Sequence, residues 1–420
     1  MASSDRYPGS RWLILISAVF SFVSLQVANL SIAPLLPVLG KDLALEPGQL
    51  GNLMSIYTFA GALLMLSFGG AIVDRIGPLA GALLGMLAAG APMALMPLFG
   101  HNYHALLWLR AIEGLAAGFA FPAQGPIIAR WFGPSQKGLA GGIMGSSVTL
   151  GAAAGLFGGP ALVNMGYSWQ KMSLYLSIFA WVGVVFTLIL MASRPQAPAG
   201  DGAAPGETDK GLFRRALFAP LTFLGIATSF MVMWVFHSTL GVVPGALSFP
   251  RPLGAGYSAL QSGSLMQGVT IAGIVGPVLG GYLMDKVFKG NPKANMLLGF
   301  ASMFIFVGLM LLPAVLYNPA LLIVCLAMAG LGFQFIVPIL FVYVGKMYPL
   351  PIVGQMVGLW IGIGTFGGVV GQAIGPAVAQ AKGTYLWAYG LMSLAAFLGF
   401  FLSIFMTKQK PVTVAAQVTA

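Results

Sequence analysis

Of the nine acidic side chains in this 420-residue sequence, Glu113 alone lies deep inside an apolar stretch, and of the twenty lysines and arginines only Arg110 does. Ionisable groups at membrane depth are costly, and they usually carry function. The two stand at i and i+3 of a segment that reads as helix, so they share a face and can pair. Two chemistries follow. In one, Arg110 attracts an anionic solute while Glu113 exchanges a proton, because burial and a neighbouring guanidinium act on a carboxylate in opposite senses. In the other, the pair is permanent and holds its helix in place.

The remaining polar candidates are uncharged. Gln26 and Asn29 are three apart in the first apolar run and share a face, and Gln267 and Gln334 sit inside later ones. Polar groups at such depth need substrate, water or another helix as partner. His237, in MWVFHSTLG, could titrate near neutrality or serve as a hydrogen-bonded packing residue. Tyr57 and Trp360 could wall a cavity, or simply pack. His101 and His104 have no nearby acid or thiol and make a poor metal site, so no metal is expected. The sequence has no Gly-x-x-x-x-Gly-Lys-Ser/Thr run, so nucleotide hydrolysis is not encoded and no cofactor is expected. Its single cysteine, Cys325, allows no disulfide framework.

What must position these residues is a bundle in lipid. The composition is 58% hydrophobic and 7% charged, with a mean hydropathy of +0.91, whereas a soluble domain carries about a quarter charged residues. Alternating amphipathic strands are absent, which excludes an outer-membrane barrel. Apolar runs predict helices near 12–39, 48–73, 78–99, 104–128, 136–162 and 170–192. A second set follows near 216–246, 258–284, 294–316, 319–345, 352–379 and 384–406. The first run reads as a retained helix rather than a cleaved signal. Between the sets, a stretch rich in Pro, Gly and acid predicts a cytoplasmic linker over 193–213, dividing bundles at 1–192 and 214–420.

The net charge is +11, but the cations fall between apolar runs, so they orient the chain rather than mark a nucleic-acid partner. Fifteen sit on the side of the termini, four (Lys41, Lys171, Arg251 and Lys382) on the other, and Arg110 within a helix. That asymmetry predicts both termini in the cytoplasm. The two sets also repeat. GGAIVDR (69–75) matches GGYLMDK (280–286); Gly155-x-x-x-Gly159-Pro160 matches Gly371-x-x-x-Gly375-Pro376; Gly114 and Pro122 match Gly330 and Pro338. Three pairs in one order predict a parallel duplication of a six-helix unit.

These motifs make the chain resemble the major facilitator superfamily. The loop signature Gly-x-x-x-Asp-Arg/Lys-x-Gly appears as Gly70, Asp74, Arg75 and Gly77, followed by Pro78 and Leu79 where the family usually has two basic residues. The helix 4 signature Arg-x-x-Gln/Glu-Gly appears as Arg110, Glu113 and Gly114, and the segments at 121–123 and 130–132 are similar to those of organic-anion branches. The resemblance implies an all-α protein of two pseudo-symmetric bundles rocking about a midplane site lined by helices 1, 4, 7 and 10. It also implies gating: Asp74 with Arg75 would latch against the start of helix 11, and Asp285 with Lys286 against the start of helix 5, where helix N-termini carry partial positive charge.

The expected function is secondary transport of a small anionic organic solute by proton-coupled symport. The expected contacts are Arg110, Gln26, Asn29, Tyr57, His237, Gln267, Gln334 and Trp360, with Glu113 as proton carrier. The alternative is proton-coupled efflux of hydrophobic or cationic compounds. A membrane enzyme is not expected, because no cluster of acids or histidines converges. The expected setting is the lipid bilayer of the cell inner membrane, as a monomer.

Overall fold

The structure is a computed structural model that describes residues 9–133, 136–195, 210–289 and 291–406. Among the described residues there are twelve helices long and apolar enough to cross a membrane, and no strand. The first six are α1 (Arg11–Leu43), α2 (Pro47–Ile76), α3 (Pro78–Phe99), α4 (Tyr103–Trp131), α5 (Lys137–Asn164) and α6 (Trp169–Ala192). The second six are α7 (Pro220–Ser248), α8 (Ala259–Val287), α9 (Pro292–Leu309), α10 (Pro319–Met347), α11 (Ile352–Lys382) and α12 (Leu386–Met406). In lipid a backbone amide has no water to bond, so an apolar chain closes its hydrogen bonds within each helix. The protein is therefore an all-α multi-pass membrane protein.

Helix ends repeat as the interiors do. Asn102 caps α4 by accepting from the backbone amides of His104 (2.9 Å) and Ala105 (3.3 Å). Asn318, 216 residues later, caps α10 through Ala320 (3.1 Å) and Leu321 (3.3 Å). Such caps satisfy amides that the first helical turn leaves open. Reciprocal capping boxes start α2 (Glu46 with Gln49) and α8 (Ser258 with Gln261).

Most of the expected linker, 196–209, lies outside the described residues. Its last residues instead begin an amphipathic helix, Lys210–Leu217, whose Leu212 and Ala216 are buried. That helix displaces the start of α7 from the expected 216 to Pro220. Likewise α9 ends at Leu309 rather than near 316, because Pro313 opens a separate short helix, Pro313–Leu316.

Two seams join the first six helices to the last six. Along α2 and α11, Gly48 and Gly51 meet Gln380, Gln372 and Pro376, the Phe59 ring meets Phe366 edge-on at 5.9 Å, and Leu66 meets Gly362. Along α5 and α8, Gly263 packs on Leu156 and Pro160, and Gly273 on Thr149. Any Cβ at Gly51 or Gly263 would collide with backbone of the opposite half, so these glycines set the closeness of the seams.

Both seams then part towards the face that carries Asp74 and Asp285. The α2–α11 register leads next to Gly358 and Gly354, and the α5–α8 register to Gly145, Gly142 and Gly138; all five face open space. One face is zipped and the other open. At the C-terminal ends of α2 and α8, near Asp74 and Asp285, the helix widens into π segments, Met65–Gly69 and Leu283–Val287.

Candidate functional site

Arg110 and Glu113 sit on the buried face of α4, at 0% and 1% exposure. They are the only charged side chains in the buried class among the described residues. Arg110 Nη1 donates to Glu113 Oε2 at 2.5 Å and to Ala28 O at 2.7 Å. Its Nε donates to Leu53 O (3.2 Å) and its Nη2 to Asn29 O (3.2 Å). Its guanidinium carbon lies 4.7 Å from the centre of the Tyr57 ring. The Tyr57 hydroxyl in turn donates to Leu25 O at 2.7 Å.

This reach across helices depends on glycine. Gly114 lies against the Tyr57 carbonyl, and Gly61 against the Gly114 carbonyl, so the α2 and α4 backbones nearly touch. Arg110 thereby pins α1, α2 and α4 into one unit. A guanidinium and a carboxylate in apolar surroundings are tolerable only when paired and hydrogen-bonded, and this pair meets both conditions. In this state neither group faces the opening between the halves. Glu113 Oε1, however, has no hydrogen-bond partner among the described residues.

Uncharged polar groups from both halves pack beside the seams. Gln26 on α1 packs its Cβ beside Gly151 of α5, and its amide makes no hydrogen bond among the described residues. Thr149, two residues from Gly151, meets Gln334 of α10 at Gly273 of α8. Gln334 is half-buried and donates to Gly273 O at 3.3 Å. The half-buried His237 ring on α7 abuts Gly368 of α11 and makes no hydrogen bond among the described residues. Thr149 escaped the sequence reading because one threonine in a glycine-rich helix carries no periodic signal.

Other expected site residues are occupied elsewhere. Trp360 is wholly buried, against Gly225 and edge-on to Tyr348 at 5.9 Å, so it packs rather than lines a cavity. Tyr57 is spent on Arg110 and Leu25. Gln267 bonds within its own helix, to Gly263 O and from Thr270. Asn29 gives its carbonyl to Arg110, while its buried Oδ1 has no hydrogen-bond partner among the described residues. His101 Nε2 lies 3.0 Å from Pro97 O, and the His104 ring sits edge-on to Tyr103.

Two glutamines missed by sequence reading span the zipped seam. Gln372, 1% exposed, accepts from Thr58 Oγ1 of α2 at 2.7 Å and donates to His237 O of α7 at 3.2 Å. Gln380 accepts from the Gly48 amide at 2.9 Å and donates to Glu46. On the open face Asp74, Arg75, Asp285 and Lys286 are all exposed. Neither Asp74 nor Asp285 makes an ion pair among the described residues.

Two bundles zipped on one face and parted on the other, with the helix 2–3 and helix 4 motifs at these places, match a sequence family over nearly the whole chain. The Major Facilitator Superfamily profile covers residues 13–349 and 256–419. The chain belongs to the Major Facilitator Superfamily. It is similar to the 3-(3-hydroxy-phenyl)propionate transporter of Escherichia coli, 27% identical over 308 residues, which cover 72% of this chain and 70% of the relative. A probable sulfoacetate transporter of Cupriavidus necator is 24% identical over 417 residues, 91% of each chain. The hexuronate transporter of Bacillus subtilis is 24% identical over 316 residues, covering 71% of this chain and 68% of the relative. These Major Facilitator relatives are transporters, not enzymes.

Proposed function

We propose that the protein is a secondary transporter of the cell inner membrane that takes up a small organic anion together with protons. The observation that carries this reading is the pair of seams, closed on one face and open on the other about polar groups drawn from both halves. Such an arrangement exposes a central site to one side at a time. The charge asymmetry of the loops makes the open, Asp74-bearing face cytoplasmic. The three relatives named above carry the anionic class, since each is named for a carboxylate or sulfonate.

Roles divide by accessibility. Gln26, Thr149, His237 and Gln334 hold the solute, while Arg110 keeps α1, α2 and α4 rigid as they move together. Glu113 carries the proton: its Oε2 is held by Arg110, and its free Oε1 accepts. With Glu113 protonated, the pair loses its Coulombic component, and the guanidinium becomes available to an anion that arrives with the proton. Asp74 and Asp285 latch the cytoplasmic face in the opposite state.

Reconstitution into liposomes with an inward proton gradient tests the reading, using 3-(3-hydroxyphenyl)propionate, sulfoacetate and glucuronate as probes. At least one acid should accumulate against its gradient. Glu113→Gln should abolish pH-driven accumulation while leaving solute exchange intact. Movement of none of the acids would defeat the anion assignment, and wild-type accumulation by Glu113→Gln would defeat the proton role.

A further inference from the structure

On the zipped face, away from the midplane groups, a cleft of about 360 Å³ opens in the second half alone. It lies among the loop joining α7 to α8, the turn before α10 and the start of α12, and Arg251, Leu253, Tyr317, Thr384, Tyr385 and Tyr389 line it. Its walls are fixed. The Tyr385 amide donates to Leu253 O at 2.8 Å, the Tyr257 hydroxyl to Leu316 O at 3.0 Å, and the Tyr385 ring stacks on Phe249 at 5.4 Å.

Two groups in this cleft are poised without partners. Arg251 lies with its guanidinium carbon 3.7 Å from the centre of the Tyr317 ring, and its Nε is spent on Ala255 O at 3.1 Å. Stacking and that one bond set the plane of the fork, while its two terminal nitrogens make no hydrogen bond among the described residues. Tyr389 is 1% exposed, and its buried hydroxyl has no hydrogen-bond partner among the described residues. A buried hydroxyl left unpaired costs about 1–3 kcal/mol, so native proteins rarely keep one without a use.

The repeat sharpens the case. The counterpart of Tyr385, 216 residues earlier, is Trp169, which is 2% exposed. Its Nε1 donates to Asp42 at 2.7 Å, and the Gln170 side chain donates to the same carboxylate oxygen at 3.0 Å. In the first half the acid in the last turn of α1 is thus bonded by the side chains that begin α6. In the second half the loop cation faces a cavity. Its volume lies within the usual range for small-molecule sites.

We propose that this cleft binds a small aromatic carboxylate. The carboxylate takes the two free nitrogens of Arg251 in a fork-to-fork pair, the ring lies among Tyr317, Tyr385 and Leu253, and the Tyr389 hydroxyl bonds a polar substituent or the second carboxylate edge. The site is distinct from the midplane groups, and it holds whether or not the same acid is transported.

Titration calorimetry of the full chain in phosphatidylcholine nanodiscs, with 4-hydroxybenzoate as probe, tests it. Arg251→Gln should weaken binding at least tenfold and Tyr389→Phe about threefold, while the neutral 4-hydroxybenzyl alcohol should bind wild type and Arg251→Gln alike. Arg251 is exposed, so its replacement does not threaten folding. Absence of binding to wild type, or affinity within twofold of wild type in Arg251→Gln, would overturn the proposal. Competition by phosphatidylglycerol in the discs, with no dependence on Arg251, would instead mark a lipid groove and would also overturn it.

Discussion

In α4, Arg110 and Glu113 fill the space shared with α1 and α2; 216 residues later, in α10, the same positions are Leu326 and Ala329, both buried. The first half therefore closes its core with a paired charge and three carbonyls, and the second closes it with hydrocarbon. The polar contacts between its own helices are uncharged ones. Asn295 donates to Gly280 O at 2.8 Å, Ser302 to Met328 O at 2.7 Å, and Tyr343 to Met406 O at 2.5 Å. A duplicated scaffold thus does not require the charge for folding, since its twin packs without one. What the pair adds is a rigid three-helix unit whose lock contains a titratable group.

The largest expected effect breaks that contrast. Arg110→Leu strands a buried carboxylate, which should cost about 3–5 kcal/mol and lower the thermal unfolding midpoint in detergent. The double variant Arg110→Leu with Glu113→Leu makes α4 like α10, and it should regain most of that stability while losing pH-driven uptake. A double variant no more stable than the single one would show that the pair is not the lock described here.

A smaller effect is expected at the seam. Gln372→Leu removes the hydrogen bond from Thr58 that crosses the seam, worth about 1 kcal/mol, and should bias the protein away from the zipped state by several-fold. A cysteine in place of the buried Met54 reports this as faster labelling by a membrane-impermeant maleimide. Equal rates with and without Gln372→Leu would remove the bridge from the account.

The smallest effect concerns Asp74, which is exposed in this state. Asp74→Asn should leave the open state intact and weaken only its alternative, raising the labelling of a Gly145→Cys reporter by about twofold. Slower labelling would count against a latch.

The architecture was legible because lipid permits an apolar chain so few options. Segment lengths, loop charge and matched Gly-Pro patterns led to twelve helices in a repeat, and most ends fell within a few residues. The departures came at Pro220 and Pro313, where a local stop overrode hydropathy. Arg110 and Glu113 were legible as a pair because charge inside an apolar helix is rare and a spacing of three is local. Gln372 and Gln380 were not. Their partners Thr58 and Glu46 lie 314 and 334 residues away, and only the rotation of α2 against α11 decides that they meet. Thr149 and Gln334 were separated by the same problem, and so was the burial of Trp360, which a sequence presents as any aromatic on any face.

The π segment Met65–Gly69 has a consequence for how the α2 terminus is aimed. A widened turn holds one residue more than regular winding needs, so losing a single residue there would let the helix close with ordinary hydrogen bonds rather than break. Everything beyond it, Asp74 and Arg75 included, would keep its facing, because the wider winding turns the chain through about the same angle as one residue fewer in a regular helix. The bulge is thus a slack turn in the helix, a place where one codon can be lost while the charged loop keeps its aim and the membrane-buried body stays as it was.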